Sequence, residues 1–334
     1  DGIMSVDIGQ VILDDGPAAE LSAAPIWRPS REPSKAALVV SAAGDRFRSP
    51  AAAFDTVRGG VTDVTSALAG AGKHLVGLVS AAVSVARSPA QGPLNFELSE
   101  QRRFAMASLK LAEFKAIRNA HGGTVNDVIL AVIAGALRSW LMARGERVDN
   151  RSEVIALVPV SVEPSADGDV GGDVQPFIVP LPVGEADPLM RLSRISFEMH
   201  RHRESSRLVG ADTLTTIAGF APPTLHALGA RVGADITQRV YNVVITNVPG
   251  PQTPLFVGGA EMLAAYPVVA LTRGHGLSIG LTSYNGGVFF GLNADRDGLP
   301  DIDDLAECLR ESLDEMKETA KARRRRLRPQ AVAD

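Results

Sequence analysis

Residues 124–141 read TVNDVILAVIAGALRSWL. Thr124 is a favourable N-cap, and Asp127, three positions on, can close a capping box with it. The spacing of Val128, Leu130, Ala131, Ala134 and Leu137 predicts a helix running to Arg144 and stopped by Gly145. A face this apolar belongs in the middle of a core. Asn126 is less easily explained by capping, because asparagine at the second helical position is a poor helix former. It stands as the first candidate for a polar group in a binding channel. Asp127 shares that candidacy, with capping as its alternative role.

Working outward, residues 103–109 predict a strand and Ala112–His121 a helix that ends at Gly122. Val154–Val162 (VIALVPVSV) and Val174–Val183 (VQPFIVPLPV) predict strands flanking a polar loop over Glu163–Asp173. Pro176, Pro180 and Pro182 push the second strand toward an edge or a crossover. Asp187 caps a helix through Arg207, and Thr213–Gly233 is helical except at Pro222 and Pro223. Four strands are then predicted over Asn242–Val248, Glu261–Pro267, Gly276–Tyr284 and Val288–Asn293, and Asp301–Arg326 closes as an amphipathic helix. Toward the amino end, residues 3–13 read as a helix, Asp14–Ala53 as a proline-rich linker and Gly59–Arg87 as a long helix. The irregular alternation and late β-rich block indicate α/β or α+β in two layers, not a parallel dinucleotide-binding array. Neither a GxGxxG after a strand nor a Walker A sequence is present.

Composition narrows the function classes. The 334 residues carry 34 Lys+Arg and 38 Asp+Glu, a formal net charge of −4, and 45% are hydrophobic. That is ample apolar material for a core, so wholesale disorder is excluded. A mildly acidic total argues against a dedicated nucleic-acid binder. The single cysteine, Cys308, excludes an internal disulfide and any multi-cysteine zinc site. The histidines form neither HxxxH nor HExxH, and His200 and His202, two apart on a helix, face different directions and read as solvated; no metal is expected. Neither a signal peptide nor a transmembrane helix is expected: Lys73 and His74 interrupt Val61–Ala86, and Val128–Leu137 is too short.

Two further blocks draw attention. Tyr241–Gln252 (YNVVITNVPGPQ) is an apolar strand ending in Thr246 and Asn247 before a rigid Pro249-Gly250-Pro251 turn. Polar groups at a strand end beside such a turn are a common site geometry, although Asn247 could equally serve the turn alone. Arg273–Asn285 (RGHGLSIGLTSYN) contains Gly276-Leu277-Ser278-Ile279-Gly280, which fits GxSxG as a string. No helix follows it, so it reads as a strand with close packing at its glycines rather than a nucleophile elbow.

Together, TVNDVILAVIAGALRSWL, VIALVPVSV, VQPFIVPLPVGEADPLMRL, YNVVITNVPGPQTPLFVGGA and GHGLSIGLTSYNGGVFFGLNADRD resemble, in order, the bacterial wax ester synthase/diacylglycerol acyltransferase family. The resemblance implies a two-layer α/β fold similar to chloramphenicol acetyltransferase, with two pseudo-symmetric subdomains and a channel between them. It implies acyl-CoA as co-substrate, no separate cofactor, and diacylglycerol or a long-chain alcohol as acceptor, and so a place in triacylglycerol, wax ester and glycerol metabolism. The family's HHxxxDG signature ends in residues that Asp1 and Gly2 resemble, which implies that both histidines lie before residue 1 and that most of the N-terminal subdomain is missing. Asp1 would then orient the motif loop and Gly2 would give it a close turn. Asn126, Asp127, Thr246 and Asn247 become the substrate-channel candidates. At Gly172-Asp173 the sequence departs from a Gly-Asn pair usual in the family.

The implied organisation is a remnant of the N-terminal subdomain with a linker over 1–53, a connecting helix over 54–92, the C-terminal domain over 93–320 and a basic tail over 321–334. Arg323, Arg324, Arg325, Arg326 and Arg328 in that tail suit an anionic lipid surface, or merely a solvated helix end. The expected setting is cytoplasmic, peripherally associated with a membrane or lipid droplet. A non-catalytic lipid-surface or scaffold paralogue that keeps the fold is the alternative.

Overall fold

The computed structural model describes residues 12–17, 34, 92–161, 174–208 and 240–327. The chain divides into one unit of Asp1–Ala19 with Pro89–Asp334 and another of Glu20–Ser88. All the elements named below belong to the first. Asp1, Gly2, the loop over Glu163–Asp173, the helices read over Gly59–Arg87 and Thr213–Gly233, and most of the helix read over residues 3–13 lie outside the described residues.

The strands are β1 (Arg102–Lys110), β2 (Val154–Ser161), β3 (Val174–Leu181), β4 (Val243–Pro249), β5 (Phe256–Val257), β6 (Ala260–Glu261), β7 (Leu277–Tyr284) and β8 (Gly287–Asp295). The helices are α1 (Leu111–His121), α2 (Val125–Ala143), α3 (Pro188–Leu208) and α4 (Ile302–Leu327). Six strands form one mixed sheet in the order β1-β8-β7-β4-β2-β3, parallel where β4 meets β2 and β7 and antiparallel elsewhere. Among the described strands β3 stands at an edge, one of the two placements its prolines suggested and one where a missing N–H does least harm. Residues Tyr284–Gly287 turn β7 into β8 through Asn285 and Gly286, both at positive φ, the Asn-Gly pairing a two-residue hairpin favours.

The four described helices cover one face of the sheet. Val243 and Ile245 of β4, Leu277, Ile279 and Leu281 of β7 and Phe290 and Leu292 of β8 point into the core beneath them. The centre of that layer is α2. Every residue from Asp127 to Leu137 is buried, because the helix packs against α1, α3, α4 and the sheet. Long and apolar enough to cross a membrane by length and composition alone, α2 is instead enclosed by protein. Gly135 is the point of closest approach: a Cβ there would stand 2.9 Å from Arg191 Nη2 and collide with Ser312 Oγ. Arg191, itself buried, reaches the Glu185 and Ala186 carbonyls and pairs with Glu315.

On the other face, the segment after β6 departs from the sequence reading. A strand was expected over Glu261–Pro267, but only Ala260–Glu261 pair, and the following residues cross the sheet instead of joining it. Gly280 and Gly291, opposite each other on β7 and β8, form the notch that admits them. A Cβ on Gly280 would sit 2.8 Å from Val269 and 3.0 Å from Pro267. Ser278 Oγ and Asn293 Nδ2 both donate to the Val269 carbonyl, at 2.7 and 2.8 Å. Period-2 alternation aims these residues away from the core, so the crossing segment satisfies polar groups on that face. Asp14, where the linker reading begins, exchanges hydrogen bonds with Phe256 through its N–H and C=O, each at 2.8 Å.

At the start of β4 a buried polar knot ties two segments together. His275 stacks on Tyr241 with ring centroids 4.0 Å apart, and its Nε2 lies 3.2 Å from the Tyr241 carbonyl. Nδ1 lies 3.0 Å from Thr272 Oγ1, which is within 3.0 Å of the Tyr241 hydroxyl. Burial pushes the His275 pKa below its ordinary 6.5, against the opposing pull of nearby backbone carbonyls. The folded state therefore binds this proton more weakly than the unfolded chain. His275 thus favours folding above pH 6.5, and that contribution is lost as pH falls below it. Urea midpoints should drop between pH 7.5 and 5.5, and a His275→Gln variant should show a shallower drop. His121, also held below its ordinary value by burial and by Arg323, contributes in the same direction. Parallel pH profiles for the two proteins would rule His275 out as a source.

Candidate functional site

The site forms where the N-terminus of α2 meets the C-terminal end of β4. Asn247 Nδ2 donates to Asn126 Oδ1 at 2.9 Å, joining residues 121 positions apart. Helical geometry at Asn126 and strand alternation at Asn247 aim both side chains into the seam between helix and sheet, since Asn247 follows Val243 and Ile245 on the helix-facing side. Both are half-buried, at the mouth of the core rather than inside it.

The Asn247 side chain bonds Asn126 and not the turn that follows it. The Pro249–Gln252 turn is held by other groups: Gly250 N–H donates to the Ser283 carbonyl at 3.0 Å, and Thr282 Oγ1 to Val248 O at 2.7 Å. Gln252 Nε2 donates to Ser283 Oγ at 3.1 Å, while its Oε1 accepts from Gly286 N–H at 3.2 Å. Asn247 is therefore free of the turn and committed to Asn126. With one donor and one acceptor consumed, the Asn126 Nδ2 donors and the Asn247 Oδ1 have no further partner among the described residues and are open to a third group. The positive end of the α2 dipole lies here as well and favours negative charge at this point.

Asp127 goes elsewhere. Its Oδ2 accepts from Thr124 N–H at 2.9 Å, and its own N–H donates to Thr124 Oγ1 at 3.1 Å, the reciprocal box the sequence anticipated. The carboxylate is 2% exposed and faces Arg203 of α3 at 3.7 Å, on the helix side of α2. Thr246 points to the opposite face of the sheet from Asn247. The structure thus brings Asn126 and Asn247 together and separates both from Asp127 and Thr246.

Other nucleophile and ligand candidates are occupied. Ser278 is buried on β7 and donates to a backbone carbonyl, so the GxSxG string is a strand, with Gly276 packed against the ring of Phe96. His202, read as solvated, stacks on Phe177 at 5.0 Å and hydrogen-bonds the Ile178 carbonyl at 2.9 Å; His200 is exposed, 3.2 Å from Glu204. Burial, together with Glu311 and Asp304, pushes the Cys308 thiol up, away from thiolate chemistry. Among the described residues no three His, Cys, Asp or Glu side chains gather closely enough to hold a metal ion.

Sequence reasoning did not find the segment around Pro267–Val269, which crosses the face of β7 and β8. The signal available was the paired glycines 280 and 291, whose missing side chains make room for it.

Comparison with known proteins agrees with this architecture. Residues 1–129 match the wax ester synthase/diacylglycerol acyltransferase catalytic domain, and residues 170–317 match the WS/DGAT C-terminal domain. The O-acyltransferase WSD of Acinetobacter baylyi is 33% identical over 222 residues, 66% of this chain and 47% of that protein. A probable diacylglycerol O-acyltransferase of Mycobacterium tuberculosis is 31% identical over 265 residues, 79% of this chain and 57% of that protein. The wax ester synthase/diacylglycerol acyltransferase from Marinobacter aquaeolei VT8 superposes with a TM-score of 0.63 at 25% identity, covering 96% of this chain and 66% of that one. The chain spans about half the length of the curated relatives it matches. With both domain matches and a shared fold, the chain belongs to the wax ester synthase/diacylglycerol acyltransferase family.

Proposed function

We propose that this chain supplies part of the site of an O-acyltransferase that moves a long-chain acyl group from acyl-CoA to diacylglycerol or a long-chain alcohol. The observation that carries the reading is the Asn126–Asn247 hydrogen bond at the α2–β4 seam. It builds a fixed, half-buried polar pair in a family whose relatives are named O-acyltransferases.

The chemistry is a direct transfer. The acceptor hydroxyl oxygen attacks the thioester carbonyl carbon while a base removes the hydroxyl proton. The tetrahedral oxyanion then collapses, the carbon–sulfur bond breaks, and the proton passes to the departing coenzyme A sulfur. By resemblance the base is the second histidine of HHxxxDG, with Asp1 and Gly2 supporting the motif loop. His121, His202 and His275 are engaged elsewhere. Asn126 Nδ2 offers a donor to the developing oxyanion or the bound ester, assisted by the α2 dipole. Because Asn247 fixes the amide through Oδ1, that donor is set in place before the ligand arrives. The acceptor is a lipid, and the basic run Arg323–Arg326 with Arg328 supports peripheral association with a membrane or lipid-droplet surface in the cytoplasm.

The direct test is coenzyme A release by a form of the protein that includes both motif histidines, supplied with a long-chain acyl-CoA. Acceptor-dependent release with diacylglycerol or hexadecanol is expected, and no release with any lipid acceptor would sink the reading. Asn126→Ala and Asn247→Ala should each lower kcat/KM by about a hundredfold, the scale of losing one oxyanion donor. Since the two act as one unit, the double variant should lose little more than either single one. Full turnover in both variants would remove the pair from the mechanism.

A further inference from the structure

On the helix side of α2, away from the asparagine pair, a cavity of about 300 Å³ opens between the end of α1, the first turns of α3 and the end of α4. Its walls are His121, Gly122 and Gly123 with Ser193, Ser196 and Arg323, over a floor of Leu189 and Leu192. We infer that this cavity binds a phosphate group, with Arg323 supplying the charge and Ser196 a hydrogen bond.

Three observations converge on an anion. Arg323 has no carboxylate partner among the described residues, whereas Arg191, Arg194 and Lys321 each pair with one. Its positive charge lies close enough to His121 to add to burial in holding that imidazole below its ordinary pKa. Ser196 Oγ is shut off from solvent and makes no hydrogen bond among the described residues, one of six buried side-chain polar atoms left so, and it is the one that lines this cavity. A Cβ on Gly123 would stand 2.8 Å from that hydroxyl, so glycine there keeps the approach open. Of the nearby carboxylate, Asp127, Oδ2 accepts from Thr124 N–H, while Oδ1 has no hydrogen bond among the described residues and lies 3.7 Å from Arg203.

His121 provides a reporter. Thr319 Oγ1 gives its proton to the Met316 carbonyl at 2.7 Å, so at 3.1 Å it accepts from His121 Nε2–H. That leaves Nδ1 to take up a proton when negative charge arrives. The leucine floor suits the carbon skeleton of a phosphate ester. Met190 and Phe197, 50% and 65% exposed on the same helix, suit an anionic lipid headgroup as the source; a free phosphate ester is the other.

The test titrates the full chain with inorganic phosphate and glycerol 3-phosphate while the His121 imidazole is followed by NMR. The site predicts a saturable response and a raised His121 pKa, with Arg323→Gln and Ser196→Ala each weakening binding about tenfold, as for a charge-assisted contact. A parallel arm sediments the protein with phosphatidylcholine vesicles containing phosphatidic acid. Vesicle binding that falls in Arg323→Gln and is competed by free phosphate assigns the headgroup. Phosphate binding with vesicle binding unaltered by the substitution assigns a soluble ester. No saturable His121 response, or one that survives either substitution, overturns the proposal. Neither arm depends on acyl transfer.

Discussion

A helix that is apolar on every side has to be covered on every side, and in this chain that helix is α2. From Asp127 to Leu137 it leaves nothing to solvent, so sheet, α1, α3 and α4 are all arranged around it. Burying a helix also commits its ends: the first backbone N–H groups need partners, and Thr124 with Asp127 supplies them before the chain enters the core. The same requirement explains Gly135, which lets Arg191 and Ser312 approach, and the Arg191–Glu315 pair that follows. Replacing Thr124 with Ala would remove a cap of about 1 kcal/mol from the element on which the others depend.

That burial also fixes the geometry of the proposed site. With α2 buried beneath the sheet, the residue one position before the capping aspartate meets Asn247 at the end of β4. One turn of helix thereby separates two jobs. Asp127 looks into the helix layer and stabilises; Asn126 looks toward the sheet and keeps a donor free. Neighbouring residues on a helix diverge by about 100°, which is enough to send one to structure and the other to a site.

Much of this was legible in the sequence. The capping box, the buried helix, the edge placement of the proline-rich β3 and the Gly-rich strands follow from local spacing, because those features are set within a few residues. The pairing of Asn126 with Asn247 was legible only as two separate oddities, since nothing local reveals a contact across 121 positions. Glu261–Pro267 was misread for a related reason: an extended, apolar segment looks the same whether it joins a sheet or crosses it, and only the glycines on β7 and β8 distinguish the two. His202 shows the limit of reasoning from one helix, as its stacking partner Phe177 lies on a strand.

The central claim is that the α2–β4 seam meets the acyl donor. Hydrogen–deuterium exchange of the protein with and without a non-reactive thioether analogue of a long-chain acyl-CoA tests it most directly. The account predicts slowed exchange at Thr124–Val128 and Thr246–Gly250, with the interior of α2 already slow in the free protein. Binding that leaves both segments unchanged and protects another region would contradict it.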